Sequence, residues 1–542
     1  MTSATIREHR AGPREWVGLA VLTLACLLYV MDLTVLHLAV PTLSAELQPT
    51  SAQLLWIVDI YGYMVAAFLI TMGTFGDRIG RRRLLLFGAA GFGAVSIMAA
   101  YAASAEQLIA ARALLGVAGA TLAPSTLSLI FAMFTDPRQR ATAVAVWISA
   151  FSAGSAVGPV LGGVLLEQFW WGSVFLLALP VIGALLVLGP LVLPEYRDPD
   201  AGRLDLASVG LSLVAVLAVI FGCKQIAQDG IGIPAVAAIV AGVAVGVVFA
   251  RRQLTLADPM IDLRLFRDRR FSASLAVNLI SIFMVVGYFL YVAQYLQLVI
   301  GLSPLQAGLW SVPSAVGFIV GSQLAPYIVA RVDPGRIIVV GLVLAAVGLA
   351  ALTLVGGSAD LAVLVAASVV ISLGLAPVLT LTTDLIVGSA PPERAGAASG
   401  ISETAAELGG ALGLSILGSV GVAVYRAELA GTLPAAVPAG AAAVVRDTLG
   451  AAVAVAGQLP AGLEAVVLAA ARAAFIAGVQ VTAAIAAVIA VAVAGVAAAT
   501  FRQSAAVAVS RDDPPPLAGT DPTGDLAPSP VPARCGDREV RQ

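Results

Sequence analysis

Charge is the scarcest property of this 542-residue chain: 11% of its residues are Asp, Glu, Lys or Arg, against about a quarter in an ordinary soluble domain. That leaves too few ionic groups to solvate a globule of this length. Histidine and cysteine are scarcer still, at two and three residues. Cys26 and Cys223 lie inside apolar runs and Cys535 in a polar tail, so there is neither a disulfide framework nor a metal-ligand spacing. His9 and His37 alone make no His-rich metal site. No phosphate-cradling loop is found, and no nucleophile, base and orienting group cluster as an enzyme would need. The net charge of −2 is spread over separate short stretches, which gives nucleic acid no basic face to bind. The expectation is a chain that is not an enzyme and uses no cofactor.

What the chain has instead is apolar length. It is 60% hydrophobic with a mean hydropathy of +0.98, the composition of a polytopic helical membrane protein. About 20 helical residues cross the ~30 Å hydrocarbon core of a bilayer. Runs of that length fall at about 16–41, 53–73, 84–103, 107–134, 141–165 and 173–193, then 206–226 and 232–250, then 272–299, 306–330, 337–355, 361–387, 400–424 and 471–501. The predicted fold is all-α, two six-helix bundles (16–193 and 272–501) joined by a linker (194–271) that carries two extra spans, fourteen in all. The first run is full length, so it is expected to stay as a span and not to be cleaved as a signal peptide.

Arginine placement tests the count independently, because cytoplasmic loops hold the basic residues. Arg78 to Arg83, Arg138 and Arg140, Arg197 and Arg203, Arg251 to Arg270, Arg331 and Arg336, and Arg394 fall in alternate loops, whereas the short loops after spans one, three, five, nine and eleven have none. Both termini, 1–15 and 502–542, are therefore expected in the cytoplasm of a plasma-membrane protein, the second as a disordered proline-rich tail. Residues 425–470 are predicted to be a long external loop with short amphipathic helices, because Arg446 and Asp447 would each cost roughly 2.5 to 3.5 kcal/mol at mid-membrane.

One charge-dense stretch, Gly73 to Arg83 (GTFGDRIGRRR), is read as a short loop between two spans. Gly73, Gly76 and Gly80 permit a tight turn, and Arg78, Arg81, Arg82 and Arg83 favour the cytoplasm. Asp77, a lone acid among them, is placed to pair with a cation or with a helix N-terminus.

Ionisable side chains inside spans are costly unless paired or facing water, so each is a functional candidate. Asp32 in span one is read as a proton carrier, against a plain bundle hydrogen bond. Trp56, Asp59 and Tyr63 fall at i, i+3 and i+7, an acid between aromatics that suits an organic cation; interfacial anchoring of the rings is the alternative. Arg112 in span four either snorkels outward or biases a nearby acid. Glu403 and Glu407, at i and i+4, face the same way and can share a proton or offer a second cation site. Asp384 reads as an ordinary interfacial acid. Tyr288, Tyr291 and Tyr295, with Gln294 beside them, form a second stripe that lines either a cavity or a core. Gly154, Gly158 and Gly162, with Pro159 and Gly163, make a groove for a neighbouring helix. Gly409 and Gly413 make another at the same ordinal of the second bundle, the hint of an internal repeat.

Four stretches, LYVMDLTVLHLAVPTL, GTFGDRIGRRR, LIAARALLGVAGATLAPS and SAGSAVGPVLGG, together resemble the fourteen-span drug:proton antiporter branch of the major facilitator superfamily. The resemblance spans about 16–501 and implies proton-coupled export of lipophilic or cationic compounds by alternating access. It implies proton coupling at Asp32 and Arg112, to which Glu407 is added here. It makes Asp77 and its arginines a conformational latch and Gly154 to Gly163 the antiport motif. His37 stands where the family usually has Asn. Trp56, Asp59, Tyr63, Tyr291, Gln294, Tyr295 and Glu403 are the expected substrate contacts, and the expected partners are drug-like molecules, protons and the bilayer, with the protein a monomer. Export of an endogenous metabolite, import of a nutrient, or a non-transporting membrane sensor are the alternatives.

Overall fold

The computed structural model of the protein describes residues 11–511 except 48, 50, 198–204, 231, 257–258, 262, 358–359, 391–394, 435 and 447. The expectations for residues 1–10 and for the tail 512–542 lie outside the described residues. So do the side chains of His37, Asp59, Pro159 and Gly163.

The described residues are helical and contain no strand. The first half comprises α1 (Pro13–Leu47), α2 (Ser51–Ile79), α3 (Arg81–Ala100), α4 (Ala105–Gly119), α5 (Leu122–Met133), α6 (Pro137–Gln168), α7 (Ser173–Leu176) and α8 (Ala178–Val192). Then come α9 (Leu206–Asp229) and α10 (Ile233–Thr255). The second half comprises α11 (Arg269–Gln294), α12 (Pro304–Val329), α13 (Pro334–Leu352), α14 (Leu361–Gly388), α15 (Ala395–Thr432), α16 (Ala439–Val445), α17 (Leu449–Ala456) and α18 (Ala461–Arg511). Among the described residues, 12 helical stretches are long and apolar enough to cross a bilayer.

Two large apolar clusters divide the interior. One is built mainly from α1 to α8 around Leu22, Tyr61, Phe92 and Trp147, the other from α11 to α18 around Met284, Tyr295, Leu342 and Ile371. Between them α9 packs on both α2 and α15, and α10 packs along α9.

The glycine grooves explain how closely the helices approach. In α6 a Cβ on Gly154 would lie 3.0 Å from the Leu27 carbonyl oxygen, and one on Gly162 would lie 2.7 Å from Val35 Cγ1, so α1 seats in the glycine face. In α15, Gly409 and Gly413 press on the carbonyls of Leu279 and Phe283, so α11 seats there in the same way. The pairs α1–α6 and α11–α15 thus make the same contact.

Two expectations change. The stretch Gly73 to Arg83 is not a loop: α2 continues to Ile79 and α3 begins at Arg81, with Gly80 alone between them. Gly80 makes that break with φ 109°, in the region that favours glycine. The stretch 425–470, expected to be a long loop, is shorter as one: α15 runs on to Thr432 and α18 starts at Ala461, with α16 and α17 between.

Helix starts follow a rule. Asp136, Asp205, Asp268 and Asp333 each cap the helix they precede (α6, α9, α11, α13), accepting first-turn N–H groups. A carboxylate there satisfies orphan donors and meets the positive end of the helix dipole. All four lie at the end of the molecule that carries Arg78 to Arg83.

Candidate functional site

Midway along α1, Tyr29 and Asp32, one turn apart on one face, meet side chains of other helices. Asp32 Oδ2 accepts a hydrogen bond from Arg112 Nη1 of α4 at 2.5 Å. The Arg112 side chain is 1% exposed and spends its other donors on carbonyls of α2, at Ile57 (3.1 Å) and Val58 (3.3 Å). A buried guanidinium that pairs with one carboxylate and donates from each nitrogen is well compensated, which is what makes its burial tolerable. Of the two roles weighed for Arg112, snorkelling is excluded. A cleft beside Asp32, lined by Met31, Val35, Phe175 and Ala178, lies between α1 and the α7–α8 stretch.

One turn before Asp32, the Tyr29 hydroxyl donates to Glu407 Oε1 of α15 at 2.5 Å. This bond joins the two halves of the molecule. The Tyr29 ring packs at 6.1 Å from Tyr61 and 6.4 Å from Phe151. The Tyr61 ring in turn lies 4.8 Å from the Arg112 guanidinium carbon, a cation-π distance. Glu407, Tyr29, Tyr61, Arg112 and Asp32 are therefore contiguous, with an acid at each end and the one cation next to Asp32. The Tyr61 hydroxyl is buried without a hydrogen-bond partner, the kind of group an ordered water satisfies. One turn before Glu407, Glu403 is also buried.

At the arginine-rich end the two halves meet again. Asp77 Oδ1 accepts from Arg81 Nε at 2.9 Å, and its Oδ2 accepts the Ala397 backbone N–H at 3.0 Å. Asp77 thus pairs with a cation and with a helix N-terminus at once: it caps the first turn of α15 from the opposite half. Arg140 Nε reaches Asp384 Oδ1 at 3.1 Å, and Ser128 Oγ lies 3.4 Å from Ser399 Oγ. The seam is closed at this end.

The remaining candidates fall elsewhere. Trp56 and Tyr63 of α2 come together, rings 6.1 Å apart and nearly perpendicular, and Tyr63 packs with Ile220 of α9. Tyr291 donates to the Leu417 carbonyl at 2.7 Å and Tyr295 to the Gly357 carbonyl at 2.7 Å. Both rings sit in the core of the second half, with Gln294 half-buried between them; of the two readings of that stripe, the structure gives the core. Tyr29, Tyr61, Arg140 and Ala397 were not among the sequence candidates. Tyr29 was findable, because it lies three residues before Asp32 on the same helix face. Asp384, read as an ordinary interfacial acid, pairs with Arg140 across the seam.

Comparison with known proteins bears on all of this. Residues 22–414 match the family model described as Major Facilitator Superfamily. The multidrug efflux pump LfrA of Mycolicibacterium smegmatis is 45% identical over 450 residues, covering 83% of this chain and 89% of that protein. The methyl viologen resistance protein SmvA of Salmonella typhimurium is 34% identical over 451 residues, covering 82% of this chain and 90% of that protein. Among solved structures, the human organic anion transporter MFSD10 is similar in fold, with a TM-score of 0.57 at 18% identity over 88% of this chain and 100% of that one.

Proposed function

The chain belongs to the Major Facilitator Superfamily, and on that premise we propose that it exports lipophilic or cationic drugs in exchange for protons by alternating access. It is a multi-pass membrane transporter and not an enzyme. Relatives named for multidrug efflux and for methyl viologen resistance support the class of cargo. The observation that carries the mechanism is the contiguous set Asp32, Arg112, Tyr61, Tyr29 and Glu407, which puts an acid of each half at the seam between them.

The 12 membrane-length stretches become fourteen when α2 and α6, helices of 29 and 32 residues, are counted as spans. In this reading 16–193 and 272–501 are the two rocking bodies, 194–271 connects them, and the arginine-rich end with both termini is cytoplasmic. The protein works as a monomer and without a cofactor, and its closed latch marks the cytoplasmic gate as shut.

Exchange follows from charge. A carboxylate at Glu407, with Glu403 a turn away, attracts a cationic drug in an apolar interior, and protonation removes that attraction. A proton on Asp32 weakens its pairing with Arg112 in the same way. Drug and proton therefore compete for one charged set, and competition prevents a futile leak. Roughly 2.3 kcal/mol per charge per 100 mV lets one proton at about 150 mV sustain a gradient of a few hundredfold for an uncharged drug.

The test is dye efflux from loaded cells, with and without an uncoupler, comparing wild type with Asp32→Asn. The variant is expected to reach the membrane folded and to lose uncoupler-sensitive efflux. Full uncoupler-sensitive efflux in Asp32→Asn overturns the proposal.

A further inference from the structure

α3 starts without a side-chain cap, behind Gly80. A Cβ at position 80 would meet the tip of the Glu195 side chain, which can turn aside, so it is the backbone angle, φ 109°, that calls for glycine here. Glu195 belongs to the short segment that leaves α8. Its Oε2 lies 3.4 Å from Arg82 Nε and 3.6 Å from Arg83 Nε, and both of its oxygens are buried without a hydrogen bond.

The same segment grips the start of α3 through its backbone. The Arg81 N–H donates to the Tyr196 carbonyl at 3.1 Å, and Arg82 Nη1 donates to the Leu193 carbonyl at 3.0 Å. The Tyr196 ring lies 4.8 Å from the Arg81 guanidinium carbon, against its face. Arg81 is 1% exposed. It donates to Asp77 (2.9 Å) and to the Ser128 carbonyl (3.3 Å), and it sits over the Tyr196 ring.

We infer that Tyr196 and Glu195 are positioning residues of the cytoplasmic latch: Tyr196 fixes Arg81, Arg81 orients Asp77, and Asp77 holds the start of α15. Glu195 has the complementary task. Four arginines follow one acid here, and an anion beside Arg82 and Arg83 keeps those two from drawing Asp77 away from Arg81 and Ala397. The exit of the first bundle is thereby part of the gate, so the connector that begins there is mechanically joined to it. This inference rests on the alternating-access reading, in which the latch opens during the cycle.

The experiment reads the seam directly. Ser399 is 0% exposed and faces Ser128 across the closed seam. Ser399→Cys is introduced into a Cys535→Ser chain and labelled with a water-soluble maleimide in purified protein. The same chain with Ser399 intact supplies the background from Cys26 and Cys223, both buried. Tyr196→Ala and Glu195→Ala are each expected to raise the labelling rate at least about fivefold, the lower end of ordinary coupling. Tyr196→Phe, which keeps the ring, is expected to label at the wild-type rate. Asp77→Asn is expected to label fast, and adding Tyr196→Ala to it is expected to change nothing more.

Wild-type labelling in both Tyr196→Ala and Glu195→Ala, with Asp77→Asn fast, overturns the inference while leaving alternating access intact. Full additivity of Tyr196→Ala with Asp77→Asn overturns it too. Slow labelling in Asp77→Asn itself removes the latch, and this inference with it. Should Tyr196→Ala not purify as a monodisperse protein, Tyr196→Leu keeps the bulk without the π face and carries the same expectation.

Discussion

Tyr29 and Glu407, 378 residues apart in sequence, share a 2.5 Å hydrogen bond across the seam between the two halves. A phenol that donates to a carboxylate in an apolar interior makes a strong contact, worth about 1.5 to 3 kcal/mol. Tyr29→Phe removes the donor and keeps the ring packing against Tyr61 and Phe151. The seam should then open more readily, with the equilibrium moved about tenfold or more toward separated halves. Distances between spin labels at Arg138→Cys and Arg331→Cys, both exposed, measure this; an unchanged distribution would count against the role.

Arg112 makes demands that only a guanidinium meets, one carboxylate and two carbonyls in fixed directions. Arg112→Lys preserves the charge but not the fork. Efflux should fall at least about tenfold. Arg112→Ala should also reduce folded yield, because an acid left alone in the interior costs about 3 to 5 kcal/mol. Transport in proteoliposomes and monodispersity on a sizing column separate the two effects.

Arg140 and Asp384 are partly exposed, at 25% and 19%, so the pair itself is worth at most about 1 kcal/mol. Its position across the seam still makes it sensitive to sign. Arg140→Asp and Asp384→Arg should each impair efflux several-fold, and the double exchange should recover most of it. Failure of the double variant to exceed either single one would remove this pair from the gate.

Gly409 and Gly413 press on backbone carbonyls of α11, which cannot step aside as a side chain can. Gly409→Ala and Gly413→Ala should each destabilise the protein by about 1 to 3 kcal/mol. Gly450→Ala in α17, where a Cβ would meet nothing within 4 Å, should stay within about 0.5 kcal/mol. Thermal unfolding in detergent ranks the three.

Asp205 lies outside the spans, at the start of α9. Hydrogen bonds from Arg252 first, then from Ser208, hold its carboxyl well below the usual carboxylate range. A depressed folded value means that its contribution is complete above the unfolded value near 3.9 and is lost as pH falls through the folded one. Asp205→Asn should therefore lower Tm slightly at neutral pH, and the difference from wild type should vanish only in strong acid. A difference that disappears already at pH 6 would contradict the assignment.

The helices were legible because apolar length is written locally, residue by residue, and they fall close to the predicted runs. The latch residues were legible as a type of contact but not as a pair: Asp77 was expected to find a cation or a helix start, yet Ala397 lies 320 positions away and offers only a backbone N–H, which no side-chain pattern marks. The turn around Gly80 misled because its arginines look like loop yet sit comfortably in helices. Tyr61 was not legible for the opposite reason, since a tyrosine in a greasy run is indistinguishable from core until its hydroxyl has a direction, whereas the spacing of Tyr29 from Asp32 did carry a signal. The tyrosine stripe on α11 was ambiguous on the same ground, and the carbonyls of Leu417 and Gly357 decide it.

The wedge helix α9 touches α2 on one side and α15 on the other. In the proposed alternating-access cycle, a rod lodged between two bodies that swing apart travels with only one of them, so one of its flanks has to slip each time cargo crosses. Ile60, Tyr63 and Ala66 of α2 meet Ile220 of α9 with apolar surface, and such contacts trade partners with little resistance. In that proposed cycle the helix between the halves serves as a shim with a slick side, keeping that flank of the seam filled with protein through the stroke.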